Sequence, residues 1–155
     1  MKKYQKLIVS LLIPLLIGFA GSLITSSSLD TWYPNLNKPA FNPPNWLFAP
    51  AWTTLFILIG LAFYLVWKDN FGGSYKLPVF IYFSQLILNF LWSMLFFGLK
   101  NPLAAFIEII ILWFFILINI ITFYKISKVA GILLIPYICW VSFASVLNYY
   151  IFILN

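Results

Sequence analysis

Gln85 and Asn89 stand one helical turn apart in the run LPVFIYFSQLILNFLWSMLFF, and Tyr82, Trp92 and Phe96 continue the spacing. Residues at intervals of three and four share one face of a helix. Amides inside so apolar a run must face other helices or a ligand, because hydrocarbon offers them no hydrogen bond. Two readings are open for the pair: an interhelical hydrogen bond, or a polar anchor in an apolar pocket. Trp92 and Phe96 favour the pocket, since small-molecule sites combine apolar walls with a few polar groups.

Trp52 and Trp140 are the next candidates. Trp32, Trp46 and Trp67 lie at the edges of apolar runs, where membrane tryptophans collect. Trp52 and Trp140 lie deeper, and a flat aromatic ligand would stack on such indoles. Glu108 is the only acid well inside an apolar run, so it is either protonated or paired. A structural hydrogen bond and a proton-linked role both remain open for it.

Much other chemistry is excluded. The chain has no histidine, which removes the commonest metal ligand and the commonest general base. No metal-ligand cluster, Walker loop or Ser-His-Asp set is present, so no metal site is assigned and no cofactor is obligatory. No lysine lies inside an apolar run to hold a Schiff base. Axial ligation of haem could come only from a tyrosine, Cys139, Met94 or Met1, so stacking is the expected mode for a haem. Cys139 is the one cysteine, which rules out an intrachain disulfide.

The elements that would position these residues follow from composition. Of 155 residues, 64% are hydrophobic and 8% are charged. A soluble domain carries about a quarter charged residues, so this is an integral membrane chain, and by length one domain. Spans need about 20 apolar residues. Five runs qualify: 7–25, 46–67, 77–99, 103–124 and 130–154. No alternating barrel pattern is present, and an all-α bundle of five transmembrane helices is predicted. The first run is too long for a signal peptide and lacks a clean cleavage site. Its small residues Gly18, Gly21 and Ser22, with Pro14, predict close helix packing. Ala49, Trp52, Phe56, Gly60, Phe63 and Trp67 form one face of the second helix, and Glu108, Phe115 and Asn119 one face of the fourth. Tyr137, Trp140, Ala144, Leu147 and Ile151 form one face of the fifth, with Pro136 bending its start.

The first connection is the one sizeable loop. Around it lie five of the nine prolines: Pro34, Pro39, Pro43, Pro44 and Pro50. Proline fixes φ and removes a donor, so the segment should be a stiff, extended lid. Asn42 is expected to N-cap the second helix, with Pro43 at its first position. Net charge is +6 from nine lysines spread singly, with no basic stripe, so no nucleic-acid partner is implied. Seven of the nine, at 2, 3, 6, 68, 76, 125 and 128, fall on one side of the predicted bundle. Lys38 and Lys100 fall on the other. The positive-inside rule then places the amino terminus in the cytoplasm and the lid outside.

The lid and the second helix carry a resemblance. Trp32, Tyr33, Leu36, Lys38, Pro39, Pro43, Pro44, Phe48, Trp52 and Leu55 resemble the first loop and second helix of the TspO/MBR family. This family comprises the tryptophan-rich sensory proteins and the mitochondrial translocator protein, or peripheral benzodiazepine receptor. Gln85, Asn89, Trp92, Ser93, Phe96 and Phe97 match a second patch. Pro136, Tyr137, Trp140, Phe143, Ala144, Leu147 and Asn148 match a third.

The resemblance implies a homodimer of five-helix bundles in a bacterial plasma membrane. It implies that tetrapyrroles or other flat apolar molecules bind under the lid, among the first, second, third and fifth helices. Porphyrins (protoporphyrin IX or haem) are the implied ligands, with cholesterol and benzodiazepine-type drugs in eukaryotic members. The implied role is sensory, regulatory or transport. The implied pocket residues are Tyr33, Pro43, Pro44, Trp52, Phe56, Asn89, Trp92, Ser93, Trp140, Ala144 and Leu147. Trp52 and Trp140 match positions linked to light-dependent breakdown of protoporphyrin, which would make them catalytic. The tail ASVLNYYIF resembles the animal sterol-recognition segment but lacks the following basic residue, so tight sterol binding is not expected.

Overall fold

The computed structural model describes residues 1–155, and it is all-helical with no strands. Helix α1 covers Lys3–Leu29, α2 Phe48–Lys68, α3 Lys76–Ser93, α4 Pro102–Ile126, α5 Lys128–Leu133 and α6 Ile135–Leu154. Helices α5 and α6 together make one span, so five segments are long and apolar enough to cross a bilayer. Large apolar side chains point outward along them, Leu12, Leu16, Phe19 and Leu23 on α1 among others. That is the pattern expected where lipid, not water, is the solvent.

Local chemistry sets the boundaries. Asn101 caps α4, its side chain accepting from the Ala104 N–H at 3.1 Å with Pro102 following. Ser127 caps α5 by accepting from the Ala130 N–H at 3.3 Å. The last span breaks at Leu134, just before Pro136, as the proline predicts. The start of α2 departs from expectation. Asn42 is no cap, because Pro44 is extended (φ −65°, ψ 149°) and a 3-10 turn at Asn45–Leu47 leads into α2. Pro44 pushes Pro43 out of the α region, so Pro43 cannot be the first helical residue that Asn42 would cap, and the helix is delayed past Pro44.

Helices α1 and α2 pack through glycines. A Cβ on Gly60 would lie 2.6 Å from the Ser10 carbonyl oxygen, and one on Gly18 would lie 2.5 Å from the Phe56 ring. Such small residues let backbones approach where lipid supplies no hydrophobic drive. At the end away from the lid, Tyr82 stacks between Phe63 (4.3 Å) and Phe123 (5.8 Å) and ties α2, α3 and α4 together. At the lid end, α3 runs on into a π-turn at Met94–Gly98, where Leu99 N–H reaches the Met94 carbonyl at 2.8 Å. The Ser28 hydroxyl donates to the Phe97 carbonyl of that turn at 2.6 Å and pins α1 there.

Candidate ligand-binding site

A cavity of about 430 Å³ opens among α1, α2, α3 with its π-turn, and α6. These are the first, second, third and fifth spans. Trp52 is on its wall. The indole stacks on Phe56 at 5.7 Å, and meets Tyr137 at 6.5 Å and Trp140 at 6.4 Å edge-on. Gly18 opposite α2 has no side chain, and this is what leaves room for the Phe56 ring. Trp92 stacks on Phe96 at 5.1 Å and donates its Nε1–H to Asn148 Oδ1 at 3.0 Å. Asn148 in turn donates to the Pro102 carbonyl at 2.9 Å, so α4 sets the Trp92 ring through α6.

The lid closes one end. Tyr33 is buried and packs on Phe48 at 6.4 Å and Phe97 at 5.8 Å. Its hydroxyl donates to Asn42 Oδ1 at 2.8 Å. Burial pushes the phenol up to about 12, against a smaller downward pull from the Asn42 bond. Lys38 turns inward over the Tyr33 ring at 4.7 Å and donates to the Tyr33 and Leu36 carbonyls at 2.9 and 3.2 Å. Asn37 and Asn155 exchange amide hydrogen bonds at 3.0 and 2.9 Å, latching the lid to the end of α6. The cavity's exposed lining residues mark its mouth: Phe19, Ser22 and Ser26 on α1, with Asn45, Ala49 and Thr53 along the start of α2.

Of the residues singled out in the sequence, Tyr33, Trp52, Phe56, Asn89, Trp92, Ser93, Trp140, Ala144 and Leu147 line this one cavity. Pro43 and Pro44 are not on its wall; they shape the lid that carries Tyr33 and Asn42. Gln85 is also off the wall. Its Oε1 accepts from the Tyr137 hydroxyl at 2.8 Å, and that oxygen accepts from Asn89 Nδ2 at 2.8 Å. The two open readings therefore divide: Gln85 bonds between helices, and Asn89 does so while facing the cavity. Glu108 makes no structural hydrogen bond. It is buried in α4, and neither carboxylate oxygen has a partner.

Phe48, Phe143, Asn148 and the glycines of α1 are wall residues that the pocket reading omitted. Phe48, Phe143 and Asn148 fall within the matching patches, and Gly18 was legible as a packing residue. No wall residue is charged. The hydroxyls of Ser22, Thr25 and Thr53 are spent on their own helices, at 2.7, 3.0 and 2.7 Å from the Phe19, Gly21 and Ala49 carbonyls. The wall thus suits a flat, largely apolar molecule with few polar groups.

The TspO/MBR family profile matches residues 10–154. The chain is 50% identical over 150 residues to the tryptophan-rich protein TspO of Archaeoglobus fulgidus, covering 97% of each chain. It is 39% identical over 136 residues to the tryptophan-rich sensory protein of Cereibacter sphaeroides, covering 86% of this chain and 84% of that one. It is 36% identical over 140 residues to the translocator protein of Bos taurus, covering 89% and 83%. A membrane bundle of five apolar spans, matched along almost its whole length, belongs to the TspO/MBR family.

Proposed function

We propose that this chain is a membrane receptor that binds a tetrapyrrole or a similar flat apolar molecule in the cavity beneath the lid, in a sensory or transport role. The observation that carries the reading is the cavity itself: about 430 Å³, uncharged, and walled by Trp52, Phe56, Trp92, Phe96 and Trp140. That volume lies in the range of roughly 300–1,000 Å³ typical of small-molecule sites. Asn89 spends one N–H of Nδ2 on Tyr137, which leaves its second N–H free to donate to a ligand carbonyl or carboxylate and its Oδ1 free to accept.

A porphyrin without metal fits this wall better than haem. Cys139 and Met94 are not wall residues, and Tyr33, the one tyrosine on the wall, is held neutral and bonded to Asn42. An iron centre would find no ready axial ligand. With no lysine on the wall, the carboxylates of a porphyrin would lie at the mouth between α1 and α2.

Fluorescence titration with protoporphyrin IX, in detergent and in lipid, tests the reading. Trp52→Phe and Trp140→Phe should each lower affinity by about tenfold or less, since an aromatic contact is worth roughly 0.5–1.5 kcal/mol. Parental binding by both variants would overturn it.

Light-driven oxidation of the bound porphyrin is the second reading. It is favoured by the two indoles meeting edge-on at 6.4 Å on the cavity wall. Illumination in air should then yield a new product spectrum that Trp52→Phe abolishes, whereas a receptor alone would only quench.

A further inference from the structure

A second depression lies on the outer side of the cavity wall, between α2 and α6. It has a volume of about 590 Å³ and is lined by Pro50, Ala51, Thr54, Leu55, Pro136 and Cys139. All six lie within the two spans Asn45–Lys68 and Lys128–Leu154, so the groove opens on acyl chains and not on water. Its surface is apolar. Pro50 and Pro136 bring no N–H, and the Thr54 hydroxyl is spent on the Pro50 carbonyl at 2.8 Å.

Two further residues line this groove, and both also line the inner cavity: Trp140 and Phe143. They are the two residues common to both linings, so their rings stand between the two spaces. Neither ring is anchored by a hydrogen bond. Trp92 and Trp113 are each pinned through Nε1, at 3.0 Å to Asn148 and 2.8 Å to Ser142. The Trp140 Nε1 is buried and has no partner. A buried donor left unpaired is unfavourable, so an acceptor arriving at this partition would be drawn to it. Phe143 touches Trp140 at 5.7 Å and Phe41 of the lid at 6.1 Å, both ring contacts alone.

We propose that the groove between α2 and α6 is a second binding site, facing the bilayer interior, from which a flat apolar ligand reaches the cavity past the rings of Trp140 and Phe143. The proposal rests on the receptor reading above and adds a route that does not use the mouth between α1 and α2. The partition is the element that moves. Its two rings turn about their own side-chain bonds while the helices stay in place.

The test is stopped-flow binding of protoporphyrin IX to the full chain in lipid nanodiscs. Cys139 is exposed and off the cavity wall, so Cys139→Trp fills the groove without touching the inner site. Association and dissociation should both slow by roughly tenfold with the Kd of the inner cavity unchanged, because an obstruction on the path alters rates and not the cavity's own end states. Ala51→Phe blocks the groove from the opposite wall and should do the same, which covers misfolding of the first variant. Both rates unchanged in these variants, with slowing only in Ser22→Trp at the mouth, would overturn the route and leave the groove to acyl chains. Absence of saturable binding by the parent chain would instead remove the receptor reading beneath it, and the proposal with it.

Discussion

Asn89 Nδ2 donates to the Tyr137 hydroxyl oxygen at 2.8 Å, and that hydroxyl donates onward to Gln85 Oε1 at 2.8 Å. One phenol on α6 thus holds two amides of α3. It also fixes the amide through which Asn89 faces the cavity. Tyr137→Phe would leave a buried donor and a buried acceptor without partners. It should cost about 1–3 kcal/mol, toward the low end because hydrogen bonds in membranes average near 0.6 kcal/mol. Thermal unfolding in detergent measures this, and an unchanged midpoint would mean that the relay is not formed.

Asn89→Leu removes the same bond from the cavity side and should share that loss. It should also lower affinity for ligands bearing a carbonyl or carboxylate more than for hydrocarbons of similar size. A polar group that leaves water and finds no partner forfeits its hydrogen bond. Equal losses for the two ligand types would confine Asn89 to holding α3 against α6.

Three glycines separate packing from pocket. The Gly60 Cβ would strike backbone, the Ser10 carbonyl oxygen at 2.6 Å, so Gly60→Ala must push α1 and α2 apart. The Gly18 Cβ would strike only the Phe56 ring, at 2.5 Å, which can turn into the cavity. A Cβ on Gly21 would meet the Ser93 hydroxyl oxygen at 3.5 Å, an ordinary contact. Gly60→Ala should therefore lower stability by about 1–3 kcal/mol, the usual cost of overpacking. Gly18→Ala should fold but bind porphyrin more weakly, and Gly21→Ala should resemble the parent in both assays. Melting curves together with titrations distinguish the three, and identical behaviour would contradict the glycine contact.

Much of this arrangement is legible in the residues. Apolar runs of span length place all five membrane segments, and spacings of three and four put Trp52, Asn89 and Trp140 on inward faces. Pro43 followed by Pro44 held the signal for the late start of α2, since the second proline restricts the first. Other features depend on contacts distant in sequence. Nothing in MLFFG distinguishes a π-turn from an ordinary helix end. The turn is held by Ser28 on α1 and by the Asn101 N–H reaching the Leu95 carbonyl at 3.0 Å. The setting of Trp92 by Asn148 and Pro102 needs three helices at once. The groove between α2 and α6 arises from how far two helices diverge, which no spacing records.

Tyr33 links the lid to alkaline pH. Its phenol is held protonated up to about 12, two units above the ordinary value of 10.0. A raised value means that the folded state keeps a proton that the unfolded chain gives up first. The stabilisation is complete below pH 10 and is lost as pH rises from 10 to 12. Tyr33→Phe removes this dependence and the bond to Asn42. The variant should be less stable than the parent at pH 8, and the difference should shrink between pH 10 and 12. A constant difference across that window would show that the Tyr33 phenol titrates as it does in water.

Lysine placement predicts which way the bundle lies. Six of the nine lysines flank the end of the bundle away from the lid within a few residues of a span, and Lys2 precedes them at the amino terminus. Lys38 and Lys100 alone fall at the lid end, and Lys38 is folded over Tyr33 with its charge on carbonyl oxygens. The excess should draw the amino terminus, the α2–α3 turn and the α4–α5 turn toward the cytoplasm and leave the lid outside. Ala40 and Ser74 are exposed reporters on the two ends, and neither side chain makes a hydrogen bond. In a Cys139→Ser background, Ala40→Cys should react with a membrane-impermeant maleimide on intact cells, and Ser74→Cys only after lysis. The reverse pattern would invert the bundle and place the cavity mouth on the cytoplasmic half of the membrane. Labelling of both sites on intact cells would mean two orientations, a result that a seven-to-two lysine bias should forbid.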